Sequence, residues 1–112
     1  MSFIYVAKPD DHLTLMEWVE EQKNLGEMKR KEITDSEGRR HIYEWVHEVP
    51  LNGKEKPVWV NFFRYELIAK NKIGETETAY KNSWVTDLAI TENNICTLVR
   101  AGRSRWKIEN EC

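Results

Sequence analysis

The C-terminal part of the sequence carries four cationic side chains beside two carboxylates: Arg100, Arg103, Arg105, Lys107, Glu109 and Glu111. Arg105 and Glu109 are four residues apart, so they would share one face of a helix. An arginine can hold two phosphate oxygens at once, and a neighbouring glutamate can bind a divalent metal ion that activates a scissile bond. The same pattern is also typical of a solvated helix laced with ion pairs. The residue types alone leave both interpretations open.

The five residues from Arg105 to Glu109 resemble the last catalytic helix of the insertion-sequence DDE transposases, which have an RNase H-like core. The spacing from Arg105 to Glu109 matches the arginine and glutamate of that motif, and Trp106 and Ile108 match its apolar positions. Gly102 stands where the motif has tyrosine, and the lysine of the motif would follow Cys112. Three other segments are similar to one branch of these elements: residues 6–12, 83–87 and 101–103.

This resemblance implies that Glu109 is a catalytic residue and a metal ligand, and that Arg105 contacts a phosphate of the transposon end. Arg103, Lys107 and Arg100 would extend the DNA-binding patch. The full-length family uses Mg²⁺ or Mn²⁺ for DNA nicking and strand transfer, with three carboxylates holding two metal ions about 3.5–4 Å apart.

The first two catalytic aspartates of the family precede the region that resembles this chain. None of the aspartates present matches them in context: Asp10, Asp11, Asp35 and Asp87. One carboxylate cannot hold a pair of ions that prefer octahedral oxygen shells. We therefore expect a C-terminal-side fragment of a transposase catalytic domain that is inactive, stably binds no metal and is marginally stable alone.

Two rival functions follow from other residues. Four aromatic side chains could form an apolar platform for a protein partner in a small antiparallel β module without catalysis: Tyr43, Trp45, Trp59 and Phe63. An independent nuclease would need a second carboxylate beside Glu109, and Asp87 is the only candidate. His41 and His47 share a strand face with aromatic residues, which favours structural histidines over metal ligands.

Composition restricts the class of protein. The chain has 112 residues and a net charge of −2, so any cationic surface for DNA must be local. Cys96 and Cys112 lack metal-ligand spacing to the histidines, and nothing indicates secretion, so we expect neither a zinc site nor a disulfide. The sequence shows no membrane-spanning or leader segment, which predicts a cytoplasmic protein without a membrane partner.

The hydrophobic pattern divides the chain into three parts. Residues 1–26 read as a strand over 2–8, a turn in which Asp10 or Asp11 caps a helix, and that helix over 13–25, ended by Gly26. Its apolar stripe comprises Leu15, Trp18 and Val19.

Residues 27–90 alternate with period two and predict a β-rich insertion, with strands over 28–33, 40–49, 58–69, 76–80 and 84–90. The first of these is a charged edge strand, the turn after it contains Gly38, and 58–69 is the central strand. Unpaired strand edges could lead to self-association.

Residues 91–112 form the catalytic-helix region, in which Thr91 caps a helix with Ile95, Leu98 and Val99 on its buried side. Gly102 either ends that helix or lets it continue with a bend, so one or two C-terminal helices are possible. The predicted fold class is α+β: a leading strand and helix, an antiparallel sheet of about five strands and C-terminal helices, as part of an RNase H-like transposase domain.

Overall fold

A computed structural model describes residues 3–8, 10, 12–53 and 55–103 of the chain. The fold is α+β, as predicted, with one five-stranded antiparallel sheet. Its elements are β1 (Ile4–Val6), α1 (Leu13–Asn24), β2 (Lys29–Thr34), β3 (Arg40–Pro50), β4 (Trp59–Lys70), β5 (Thr76–Thr86) and α2 (Ile95–Arg103). The strand order is β1-β5-β4-β3-β2, so β4 is the central strand, as its two partly apolar faces predicted.

The two helices cover opposite faces of the sheet, because the strands alternate their side chains between two separate cores. On β4, for example, Phe62 belongs to the core under α1 and Phe63 to the core under α2. Helix α1 contributes Leu15 and Val19, both fully buried. Trp18, which the apolar stripe predicted to be buried, remains 38% exposed and contacts the ring of Trp59 edge-on instead.

The core under α2 is built mainly from aromatic side chains. Tyr43, Trp45, Phe63, Tyr65 and Trp84 come from the three central strands and are all buried. Helix α2 covers them with the apolar stripe predicted from the sequence, Ile95, Leu98 and Val99. Large rings bury much apolar area per residue, so this core stabilises a strongly charged chain with few side chains.

The leading strand, β1, is itself one of the five strands of the sheet.

The predicted strands over 76–80 and 84–90 are wrong as separate elements, because β5 runs without a break from Thr76 to Thr86. Its irregularity is a β-bulge, where the register with β4 shifts between Leu67 and Ile68. The bulge adds one residue to the strand and so reverses the alternation of apolar and polar side chains along it. In the sequence, this change of pattern looks like the end of one strand and the start of another.

The predicted caps and turns have mixed outcomes. Gly38 (φ 81°) and Gly26 (φ 79°) adopt the left-handed conformation expected after β2 and α1. Thr91 acts as predicted, since its Oγ1 accepts a hydrogen bond from the Asn94 N–H at 3.1 Å. The N-cap of α1 is His12 without a side-chain hydrogen bond, so a cap by Asp10 is wrong; Asp11 lies outside the described residues.

The outer strand edges are charged or interrupted. In the described part of the chain, β2 is an edge strand, as predicted, and its Glu32 bridges Arg30 and Arg40 at 2.8 Å each. On β5, β1 covers only residues 84–86, and the backbone N–H of Ser83 is satisfied by the side chain of Asn82 at 2.9 Å. Charges, bulges and side-chain capping disfavour strand addition, while self-association through these edges stays a prediction.

The position of α2 depends on a close contact between Gly102 and the indole of Trp84. A Cβ atom at Gly102 would lie 2.8 Å from the Cε2 and Nε1 atoms of Trp84. Both residues are buried, and the indole is held from the other side by stacking on Phe63 at 5.3 Å. Helix α2 continues through Gly102 to Arg103. Because glycine has no Cβ atom, the last turn of the helix can approach the sheet this closely.

Replacing Gly102 by alanine should lower the free energy of unfolding by about 1–3 kcal/mol, since the added methyl group forces the helix away from Trp84. Urea denaturation measures the change. Ala101→Ser, one position earlier in α2, is the matched control and should change stability by less than about 0.7 kcal/mol. A gain in stability of about 1 kcal/mol, the intrinsic advantage of alanine over glycine in a helix, would show that the helix does not pack this closely.

Candidate functional site

The described residues place two of the predicted DNA-binding side chains together. Arg100 and Arg103 lie in the last turn of α2, and both line a cleft of about 430 Å³ between this helix and the sheet. The other lining residues are His41, Tyr43, Tyr65, Cys96 and Val99. Arg105, Lys107 and Glu109 lie outside the described residues.

Arg103 is held over two tyrosine rings. Its guanidinium carbon lies 4.3 Å from the ring centre of Tyr80 and 5.3 Å from that of Tyr65. Arginine stacks well on aromatic faces because its planar, delocalised cation is weakly hydrated. The stack fixes the position of the guanidinium at the cleft.

A chain of hydrogen bonds runs along the floor of the cleft. The Nε2 atom of His41 lies 2.9 Å from Oδ2 of Asp35, and its Nδ1 atom lies 2.7 Å from the hydroxyl oxygen of Tyr65. The Arg103 guanidinium lies over the ring of the same tyrosine. The β2–β3 turn and two strands are thus joined by hydrogen bonds, and the end of α2 packs on them through Arg103.

The carboxylate of Asp35 is stabilised in its charged form. The hydrogen bond from His41 and those from the backbone and side chain of Arg39 and the backbone N–H of Glu37 hold the pKa of Asp35 below its usual range. An ionised carboxylate only accepts hydrogen bonds, so the Nε2 atom of His41 must donate to Asp35. In neutral His41 the Nδ1 atom is then an acceptor, and the Tyr65 hydroxyl donates to it.

The two tyrosine hydroxyls in the cleft keep their protons. Burial raises the pKa of Tyr65, and the nearby Arg103 only partly opposes this. Burial also raises the pKa of Tyr43, and the neighbouring Cys96 adds to this shift. Neutral hydroxyl groups are hydrogen-bond donors, and they are poorly suited to act as anionic nucleophiles.

The charge of the cleft favours an anionic ligand. Its described lining includes Arg100 and Arg103 and no carboxylate, although the chain as a whole is acidic. Phosphate and carboxylate groups are the anions that arginine binds bidentately. The geometry thus supports anion binding near the predicted basic patch.

No metal site is formed within the described ranges, where no group of three His, Cys, Asp or Glu side chains could hold an ion. Asp87 is occupied by a hydrogen bond from the backbone N–H of Phe3 at 2.9 Å. Because Glu109 is not among the described residues, its role as a metal ligand stays a prediction. His47 is exposed and not buried or half-buried as predicted, and its Nε2 accepts a hydrogen bond from the Ile90 N–H at 2.9 Å.

The prediction of an exposed aromatic platform is wrong, because three of its four residues are not exposed. Tyr43, Trp45 and Phe63 are buried, and only Trp59 is exposed, at 56%. The first three face α2, because positions 43 and 45 of β3 and position 63 of β4 point to the same side of the sheet and that side is covered.

Sequence reasoning missed Asp35, Tyr65 and Tyr80 as parts of the site. Asp35 reads as an ordinary turn residue, and Tyr65 and Tyr80 read as apolar strand residues. The available signal was the alternation that puts His41 and Tyr43 on one face of β3. Using it requires the registers that bring Tyr65 opposite Tyr43 and Tyr80 opposite Leu67.

The comparisons with known proteins add no relative: no protein-family description matches the sequence, and neither a curated protein nor a solved structure shows significant similarity. None of the helices in the described ranges has both the length and the apolar character needed to cross a bilayer.

Asp35→Asn should destabilise the protein at about pH 6, and this difference should shrink towards zero between about pH 4 and 2. The native pKa of Asp35 is depressed, so its stabilisation is complete above the unfolded value of about 3.9 and is lost as the pH falls towards the native one. Urea midpoints of wild type and variant measure this. Glu77→Gln, at an exposed position of β5, serves as control. A difference independent of pH would contradict the role of the charged carboxylate.

Proposed function

We propose that the chain is part of the catalytic domain of a DNA transposase of the insertion-sequence DDE group, and that the cleft beside α2 binds the DNA backbone. The observation that carries the proposal is the joint position of Arg100 and Arg103 on one cleft. Both precede, in the same stretch of sequence, the segment from Arg105 to Glu109 that resembles the catalytic helix.

The physical basis is local positive charge on an acidic chain. Contacts between arginine and phosphate supply most of the sequence-independent affinity for DNA, and they weaken as salt replaces released counterions. With a net charge of −2, the chain has no general field to attract DNA. Binding should therefore depend strongly on the few arginines of the cleft.

The catalytic role in this proposal belongs to Glu109, as one ligand of a Mg²⁺ or Mn²⁺ pair in an RNase H-like domain. The two remaining carboxylates would be supplied by the preceding region of the full-length family. The metal ions would activate water or a 3′-hydroxyl for nicking and strand transfer. The sheet between α1 and α2 would be the β-rich insertion of that domain, and it would support the helix that carries Glu109.

A second candidate function, a protein-interaction module, has one observation in its favour. Val58 is 53% exposed next to the exposed Trp59, and Trp59 contacts the partly exposed Trp18. Exposed apolar groups that touch each other are typical of protein contacts. This surface belongs to α1 and the start of β4, so variants of α2 distinguish the two functions.

The double variant Arg100→Gln/Arg103→Gln should weaken binding of short DNA duplexes equally for two unrelated sequences. It should also reduce the slope of log affinity against log salt by about 2 between about 50 and 200 mM salt, because each lost phosphate contact removes about one unit. Fluorescence anisotropy with the whole chain measures both quantities.

The matched control is Lys70→Gln/Lys72→Gln, which removes the same charge at the exposed end of β4 and the following turn. It should retain the wild-type salt slope. If both double variants lose affinity and slope equally, binding reflects net charge and not the cleft. If the wild type binds no duplex under these conditions, the proposed function fails.

A further inference from the structure

The hydroxyl group of Tyr65 is turned away from the cleft while His41 is neutral. Asp35 accepts the Nε2 proton of His41, so the Nδ1 atom accepts the Tyr65 proton over 2.7 Å. In this state Tyr65 offers a ligand no donor.

A proton on Nδ1 of His41 reverses this arrangement. Both ring nitrogens of a charged histidine are donors, so Nδ1–H would donate to the Tyr65 oxygen while Nε2–H keeps its bond to Asp35. The Tyr65 hydroxyl must then donate elsewhere, and the cleft that it lines is the open direction. The same proton therefore adds one donor and one positive charge to the cleft.

We propose that the cleft binds one phosphate group together with one proton, with Arg100, Arg103 and the Tyr65 hydroxyl as donors and His41 as the proton acceptor. This inference deepens the proposed function, because it identifies the anion that the DNA backbone would place in the cleft. The two residues have different roles. His41 takes up the proton, and the Tyr65 hydroxyl, which then no longer donates to His41, donates a hydrogen bond to the ligand.

The groups around His41 are compatible with this linkage. The titratable or charged side chains that face it or the same cleft are Asp35 and Arg39 from the β2–β3 turn, Tyr43 from β3, Tyr65 from β4, and Cys96, Arg100 and Arg103 from α2. Within the sheet, His41 is paired with Ile33 of β2 on one side and with Leu67 of β4 on the other. Asp35 can accept a hydrogen bond from the His41 ring in either protonation state, and an anion bound in the cleft would offset the positive charge of the arginines.

Binding of the anion should tighten as the pH falls. If the complex holds one more proton than the free protein, the association constant rises as the pH falls, by at most about tenfold per pH unit. We expect binding at about pH 5.5 to be roughly tenfold tighter than at about pH 8, since histidine changes charge within this range.

Sulfate is the probe, because it is tetrahedral like phosphate and keeps its charge over this range, so that proton uptake must come from the protein. The whole chain is titrated with sodium sulfate and followed by NMR, and sodium chloride at equal ionic strength is the reference. At about pH 6.5, sulfate should also move the ring proton signals of His41 towards their protonated positions. This second readout needs no variant.

His41→Gln can keep both hydrogen bonds of neutral histidine, and it should bind sulfate without pH dependence. Tyr65→Phe keeps the histidine charge and should lose most of the tenfold effect. His12→Gln, at the start of α1, is the matched control and should behave as the wild type. Circular dichroism melting identifies any variant that fails to fold, and the decision then rests on the wild-type signals of His41.

The proposal is overturned if sulfate binding is independent of pH, if it leaves the His41 signals in place, or if Tyr65→Phe retains the whole effect. These outcomes differ from failure of the proposed function. Sulfate binding with proton uptake but without duplex binding would support the phosphate site and reject the DNA role. Duplex binding without a pH-dependent sulfate effect would reject only the proton linkage.

Discussion

The close approach of Gly102 to the indole of Trp84 is the constraint on which the candidate site depends. This contact decides how near the last turn of α2 comes to the sheet, and hence whether Arg103 reaches Tyr80 and Tyr65. Trp84 cannot yield easily, because it is fully buried and stacked on Phe63. Its Nε1 atom has no hydrogen-bond partner within the described residues, which is consistent with a ring positioned by packing alone.

The aromatic core therefore has a second role besides stability. Its buried rings form a stiff floor, and the buried Tyr65 and the half-buried Tyr80 hold an arginine at the surface. An arginine that is already fixed loses less conformational freedom when it binds an anion. The Asp35–His41–Tyr65 chain extends this preorganisation to the β2–β3 turn, so an exposed turn and a helix end contribute to one site.

The sequence predicted those features that depend on local chemistry. The turn at Gly38, the central position of β4 and the buried stripe of α2 follow from conformational preference and apolar periodicity. The strand break before Trp84 was wrong because a bulge shifts the alternation. The hydrogen-bond chain could not be predicted at all, because it requires the register of β3 with β4, which are joined by an eight-residue connection between Pro50 and Trp59.

The central claim is that α2 holds the Arg103 guanidinium over the ring of Tyr80, and the NMR shifts of the Arg103 side-chain protons test it most directly. Protons above an aromatic face are displaced upfield by the ring current. We predict upfield-shifted Arg103 signals that move back towards unstructured values in Tyr80→Leu and remain shifted in Tyr80→Phe, which keeps an aromatic face. Unstructured values in the wild type would contradict the account.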